Sequence, residues 1–276
     1  MLTVQWWQDR LYGDGQAPDA FGRFRKLLDS YVTAESTVLD IGAGAGRMNA
    51  YQLRGRCKKV VGVDADPRVK TNPLLDRGVV GDVMRTPFPN DAFDVAFAVY
   101  VLEHLGDPAG FVAEVNRVLK PGGYFLAITP NRYHYVAVVS VLTPQRFHRW
   151  FRKKHYGAES DDTFPTYYRM NSRAALGKYL TAGGFEIVSL QCVEAVPSYL
   201  TFSVPTFLLG ALYERIVNAS EHLAGLRVNI LCAFRKPVIC PDQVRPEAGK
   251  AARSTTAASS GHDRSAGHGG PPEGRP

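Results

Sequence analysis

The stretch that most constrains this chain is "VLDIGAGAGR", Val38 to Arg47, where β-formers and an aspartate pass straight into alternating glycines. Glycine tolerates positive φ and leaves backbone bare, so a ligand can approach main-chain atoms that a Cβ would shield. A strand that ends in such a turn and opens a helix also offers unpaired N–H groups at the helix start. This is the arrangement of a nucleotide-type cofactor site. The dinucleotide fingerprint G-x-G-x-x-G needs its third glycine where the helix packs on the strand. Counted from Gly42 and Gly44, that place holds Arg47, and the third glycine comes one residue early at Gly46. The spacing counts against an NAD-dependent oxidoreductase, which stays as an alternative.

From Thr37 onward, short apolar runs alternate with helix-length connections: "TVLDI", "KVVGV", "GVV", "FDVAFAV" and "YFLAIT". That alternation predicts a parallel sheet with helices on both faces. Asp107 is placed to cap a helix beginning at Pro108. Phe111, Val112, Val115, Val118 and Leu119 form its apolar face, and "PGG" at Pro121 to Gly123 is its expected stop. "GGFEIVSL", Gly183 to Leu190, reads as a sixth strand, and "RVNILCAFRKP", Arg227 to Pro237, as a seventh. Phe21, Phe24, Leu27, Leu28 and Tyr31 recur at helical spacing and predict a leading helix laid against the main domain. With 276 residues and 45% hydrophobic content, the chain can fill one sizeable core. The expected organisation is an N-terminal helical segment, 1–36, then a main domain, 37–240, with insertions at 132–174 and 191–226. The tail, 241–276, holds almost no large apolar residue and cannot offset its ordering entropy, so it is expected to be disordered.

The strand ends carry the remaining motifs. "VVGVDADP" ends a strand in Asp64, able to accept both hydroxyls of a ribose. "GVVGDV" places Gly81 and Asp82 where an adenine amine could be met, and "FDVAFAVY" ends in Val99 and Tyr100. In this order and spacing the motifs resemble the class I S-adenosylmethionine-dependent methyltransferases, in the small-molecule subgroup with a methyltransferase type 11-like domain. The resemblance is strong over Thr37 to Asn131 and looser over the sixth and seventh strands. It implies an α/β, Rossmann-like, seven-stranded, mostly parallel sheet with an antiparallel last strand and helices on both faces. It implies S-adenosyl-L-methionine as methyl donor. Gly42, Ala43 and Gly44 would then cradle the methionine part, and Asp40 would orient its amino group. Asp64 with Ala65 would hold the ribose, Asp82 and Val83 the adenine, and Val99 and Tyr100 the wall beside the sulfonium.

Methyl transfer is an in-line displacement at a carbon already activated by the sulfonium and requires no metal. Holding the two reactants in line supplies up to roughly 7–11 kcal/mol. A base is needed only where the acceptor must lose a proton. His104, just past the fourth strand, is the nearest candidate, against the alternative of a histidine bonded to a backbone carbonyl. Tyr100 is a second candidate, against a packing role, and Tyr133 and His134 are further ones.

The acceptor is expected under the two insertions. Arg132 to Ala174 carries eight Lys and Arg against Glu159, Asp161 and Asp162, so most of the chain's +7 charge lies there. Its basic residues Arg146, Arg149, Arg152, Lys153 and Lys154 are interleaved with Phe147, Trp150, Phe151 and Tyr156. Ala195 to Tyr213 has no charge in nineteen residues, near the length of a membrane span. Pro197, Pro205 and the position between two strands of one sheet favour a buried lid, with interfacial membrane contact as the alternative. The resulting expectation is a small-molecule or lipid-like acceptor, methylated on oxygen rather than nitrogen or carbon. Nucleic acid is not expected as a partner. An RNA methyltransferase acting on base nitrogen calls for N/D-P-P-Y after the fourth strand, and "AVYVLEH" stands there instead. A cofactor-binding protein without catalysis is a further alternative, and nothing in the sequence sets the oligomeric state. Cys57, Cys192, Cys232 and Cys240 lie far apart with no metal-ligand spacing, as in a reducing compartment. "MLTVQWWQDRLYGDG" lacks a basic and an apolar leader region, so no signal peptide is expected. The expected location is cytoplasmic, with peripheral membrane contact as the alternative.

Overall fold

The computed structural model of the chain describes residues 3–13, 18–46, 51–142 and 165–238. Arg47, Cys240, the tail and most of the basic insertion, from 143 to 164, lie outside the described residues. Seven strands form one sheet: β1 (Thr37–Ile41), β2 (Lys59–Asp64), β3 (Arg77–Val80), β4 (Phe93–Val99), β5 (Leu119–Pro130), β6 (Glu186–Val193) and β7 (Asn229–Arg235). Their order is β3-β2-β1-β4-β5-β7-β6. The first five run parallel, and β7 is antiparallel to both of its neighbours. β6 therefore points the same way as β1 to β5. Six carboxyl ends and the start of β7 share one edge. The chain leaves β1 toward β2 and β3 and returns to β4 on the other side, so the strand order reverses between β1 and β4. Open sheets of this kind bind ligands outside the carboxyl ends at such a reversal.

Both faces of the central strands are covered, which is why their sequences read as near-continuous apolar runs. On one face Leu39, Val63 and Phe125 pack with α3 (Pro108–Val118) and, beyond the short α4 (Tyr135–Leu142), with α5 (Arg173–Ala182), through Phe111, Val115, Leu176 and Leu180. On the other, Val38, Phe97 and Leu126 pack with Phe24 and Leu28 of α2 (Ala20–Asp29). Each such fully buried side chain contributes about 1.5–3 kcal/mol. Asp19 begins α2 by accepting the Gly22 N–H at 2.8 Å, a cap that contributes about 1 kcal/mol. A further helix, α1 (Val4–Tyr12), precedes it, which the 21–31 spacing did not signal.

Several boundaries differ from those expected. α3 ends at Val118, ahead of the "PGG" stop, because Lys120 precedes a proline and is kept out of helical geometry. Pro121 to Gly123 instead make the irregular start of β5. Gly122 has φ +83°, and the β4–β5 register shifts between Phe93 and Val95. Gly183 and Gly184 close α5 rather than open β6, which runs three residues later than the sequence suggested.

The apolar stretch 195–213 is not one buried lid. A short turn, Ser198–Leu200, is followed by α6 (Val204–Asn218), which buries Phe207, Ala211 and Val217. Phe207 meets Tyr12 of α1 edge-on at 6.2 Å. Leu209, Leu212 and Ile216 face outward, 64%, 55% and 50% exposed. Among the described residues no helix is long and apolar enough to cross a membrane.

Candidate active site

The loop after β1 turns back over the carboxyl ends of β1 and β2. Gly42, Gly44 and Gly46 all have positive φ, at 75°, 53° and 74°. A Cβ on Gly42 would stand 2.3 Å from Val101 Cγ2, so the glycine is required by both conformation and space. The Gly42 N–H donates to the Val63 carbonyl at 2.8 Å, and the Gly44 N–H donates to Asp64 Oδ2 at 2.8 Å. Asp64 Oδ1 accepts the Asp66 N–H at 2.8 Å. Asp64 thus braces the loop, and each oxygen keeps a second lone pair for a ligand hydroxyl.

The sequence reading missed two residues here. Asn72 donates its amide to the carbonyls of Ala43 (3.0 Å) and Gly44 (3.3 Å), holding the loop from the far side. Tyr51 packs against Phe21, Phe24 and Phe97, and its hydroxyl is buried without a hydrogen-bond partner among the described residues. Burial pushes that hydroxyl's ionisation well above the usual tyrosine range. Asn72 lies 28 residues past Gly44, and no local pattern marks it.

These groups wall a cleft of about 250 Å³ that takes in Asp40, Gly42, Ala43, Gly44, Asp64 and Val99 of the expected cofactor residues, together with Tyr51 and Asn72. Asp40 lies on its floor. Burial first, then the charge of Asp64, pushes the Asp40 carboxyl up to about 7. Ala65, Asp82, Val83 and Tyr100 are not part of that wall. Asp82 is exposed and accepts the Met84 N–H at 2.9 Å, while Val83 packs on the core.

Tyr100 turns away from the cofactor cleft. Its φ is +53°, and its hydroxyl donates to Asn229 Oδ1 at 3.0 Å, across β5 to the start of β7. Its ring meets Phe21 of α2 edge-on at 5.7 Å. A non-glycine residue in that region costs about 1–3 kcal/mol and persists where the surroundings hold it. His104 lies in the short turn Leu102–His104, with Nδ1 3.0 Å from the Pro165 carbonyl. A carbonyl only accepts, so that bond puts the proton on Nδ1 and leaves Nε2 as the basic nitrogen. Beside it, Glu103 is buried and accepts the Thr129 hydroxyl at 3.2 Å. Burial pushes its carboxyl up to about 7. A carboxylate inside "VYVLEHL" was the signal available for it. Tyr133 is exposed, and His134 is buried, its imidazole pushed down to about 4 by desolvation.

A parallel sheet with a glycine loop at its reversal and carboxylates at the ends of two strands has the make-up of a nucleotide-type cofactor site. Residues 39–127 match the family model described as a methyltransferase domain. An uncharacterised methyltransferase of Bacillus subtilis is 38% identical over 104 residues, 34% of this chain and 41% of that protein. The ubiquinone biosynthesis O-methyltransferase of Paramagnetospirillum magneticum is 33% identical over 140 residues, 48% of this chain and 55% of that one. The chain thus spans about half the length of these curated relatives. A solved S-adenosylmethionine-dependent methyltransferase of Methanosarcina mazei shares the fold, with a TM-score of 0.50 at 18% identity, covering 77% of this chain and 98% of that one. Residues 39–127 are thus similar to a methyltransferase domain, and the sheet around them has the fold of solved S-adenosylmethionine-dependent methyltransferases. The methyl donor of that family is S-adenosylmethionine.

Proposed function

We propose that the protein transfers the methyl group of S-adenosylmethionine to an oxygen of a small-molecule or lipid-like acceptor. The observation that carries this reading is the pair Asp40 and Asp64 in one cleft with a glycine loop. A dinucleotide would press two phosphate charges against these carboxylates. S-adenosylmethionine brings a positive ammonium and a positive sulfonium to the same place, and its ribose hydroxyls suit the spare lone pairs of Asp64. The unpartnered Tyr51 hydroxyl supplies a donor for its carboxylate. The residues present fit the cofactor.

Catalysis on this reading is mainly positioning, with the acceptor over Val99 and Tyr100 at the end of β4. An alcohol or phenol acceptor must also lose a proton. Glu103, its carboxyl pushed up to about 7 and its charge felt by Tyr100, is suited to take it, and His104 follows it in the same short turn. Similarity to an O-methyltransferase over 140 residues supports oxygen as the receiving atom.

Calorimetry tests the cofactor half. S-adenosylmethionine should bind at micromolar concentration and NAD should bind poorly. Asp64→Ala should weaken binding by about 1.5–3 kcal/mol, the contribution of charge-assisted hydrogen bonds. Isotope-labelled methyl transfer into a lipid and small-molecule extract tests the acceptor half. Heat from NAD and none from S-adenosylmethionine would refute the proposal.

A further inference from the structure

A second cleft, of about 590 Å³, opens beyond the same sheet edge, within the roughly 300–1,000 Å³ of small-molecule sites. The first turn of α2 forms one wall, the end of β6 the floor, and the second half of α6 the other wall. Three charged side chains in its lining are buried: Glu194, Glu214 and Arg227, at 6%, 7% and 8% exposure. Such groups are seldom buried unless they are held.

Each of them is held. Glu194 accepts the N–H groups of Ala195 (3.0 Å) and Val228 (3.2 Å). Glu214 accepts the Tyr12 hydroxyl (3.2 Å) and the Asn218 amide (2.7 Å). Arg227 donates to the carbonyls of Val217 and Cys192, both at 3.2 Å, and to Glu221 at 2.8 Å. Behind Glu194 lies His134, 3% exposed. Its Nδ1 accepts the Val136 N–H at 3.3 Å, so Nε2 carries the proton. That Nε2 has no hydrogen-bond partner among the described residues and stands 3.8 Å from Glu194 Oε1. The carboxylates are fixed in place and still have lone pairs to offer.

The lining mixes both charges, with one carboxylate in excess. Asp19, Glu194, Glu214 and Glu221 stand against Arg23, Lys26 and Arg227. A phosphate would meet four carboxylates and a polyamine three cations. A neutral ligand whose groups both donate and accept suits all of them, and the vicinal hydroxyls of a sugar have that chemistry. We propose that this cleft holds a neutral glycosyl group of the acceptor, an inference that rests on the methyltransferase reading.

Topology sets how far that sugar lies from the reacting carbon. β4, where Val99 walls the cofactor cleft, and β6, where Val193 floors the second, are three strand spacings apart, about 14 Å. Tyr100 spans the interval. Its hydroxyl reaches Asn229, the register partner of Val193. The separation exceeds one sugar ring, so the held sugar is not the unit methylated. The acceptor is an extended glycoside of at least two units.

Saturation-transfer NMR on the full chain loaded with S-adenosylhomocysteine tests this. The probes are the methyl glycosides of glucose, galactose, mannose and rhamnose, with maltose and lactose, and spermidine and inorganic phosphate as charged probes. At least one neutral sugar should receive saturation. Its dissociation constant should rise roughly tenfold or more in Glu214→Gln. Asn218→Trp, on an exposed helix position, should block the cleft and abolish the signal with the fold intact. Calorimetry should show unchanged S-adenosylhomocysteine affinity in both variants. No transfer to any sugar, transfer that survives Asn218→Trp, or spermidine or phosphate binding in place of sugars would overturn the proposal. Failure of the methyltransferase reading shows separately, as no heat with S-adenosylhomocysteine.

Discussion

Lowering the pH from 8 to 6 should weaken cofactor binding about tenfold, and Asp40 sets the size of that change. Its carboxyl is pushed up to about 7 by burial and by the neighbouring charge of Asp64. Receiving the cofactor ammonium requires the ionised form. The apparent dissociation constant therefore scales with one plus the ratio of protonated to ionised Asp40. That factor is about 11 at pH 6 and about 1.1 at pH 8, a difference of about 1.4 kcal/mol. Stability of the unliganded protein moves the other way. A carboxyl whose folded pKa exceeds its unfolded value, 3.8, contributes stability that is complete below that value and is lost as pH rises through about 7. The melting temperature without ligand should thus fall over the range in which affinity rises. Calorimetry with S-adenosylhomocysteine, in buffers of differing ionisation enthalpy, reads both the affinity and the proton released. Glu103 and Glu194 are also pushed up to about 7, so Asp40→Asn is the necessary control. That variant should bind weakly at pH 8 and lose the slope. An affinity flat with pH in the natural protein, or a slope that survives in Asp40→Asn, would refute the reasoning.

Gly42→Ala should destabilise the loop by about 1–3 kcal/mol and weaken cofactor binding, since it strains φ and meets Val101; an unchanged melting temperature would count against the loop geometry. Asn72→Ala should lower cofactor affinity by more than it lowers stability, because it frees the Ala43 and Gly44 carbonyls, and calorimetry beside thermal melting separates the two effects. Phe207→Ala should cost about 3–5 kcal/mol in denaturant melts while Leu212→Asp stays within about 0.5 kcal/mol, and equal effects would mean the buried face of α6 is misassigned. Removing Pro241 to Pro276 should leave melting temperature and cofactor affinity unchanged, and a drop of several degrees would show a docked segment.

The glycine loop and its two aspartates were legible because the signal is local. Strand, aspartate and glycine turn fall within ten residues, and each residue type there answers to its own backbone geometry. The parallel sheet was legible for a related reason, since strands covered on both faces must be apolar almost throughout. The adenine side was less so: β3 ends at Val80, ahead of Asp82 and Val83, and neither of them enters the wall of the cleft. Tertiary structure alone decided which way Tyr100 turns, because its partner Asn229 is 129 residues away. It also brought Asn72 to the loop and turned Phe207 inward and Leu212 outward on a helix that carries no charge from Val204 to Tyr213. The second cleft draws the buried Glu194, Glu214 and Arg227 from three separate segments. In sequence each reads as a solvated surface charge, because what buries and pairs it is supplied by elements that only the completed sheet brings together.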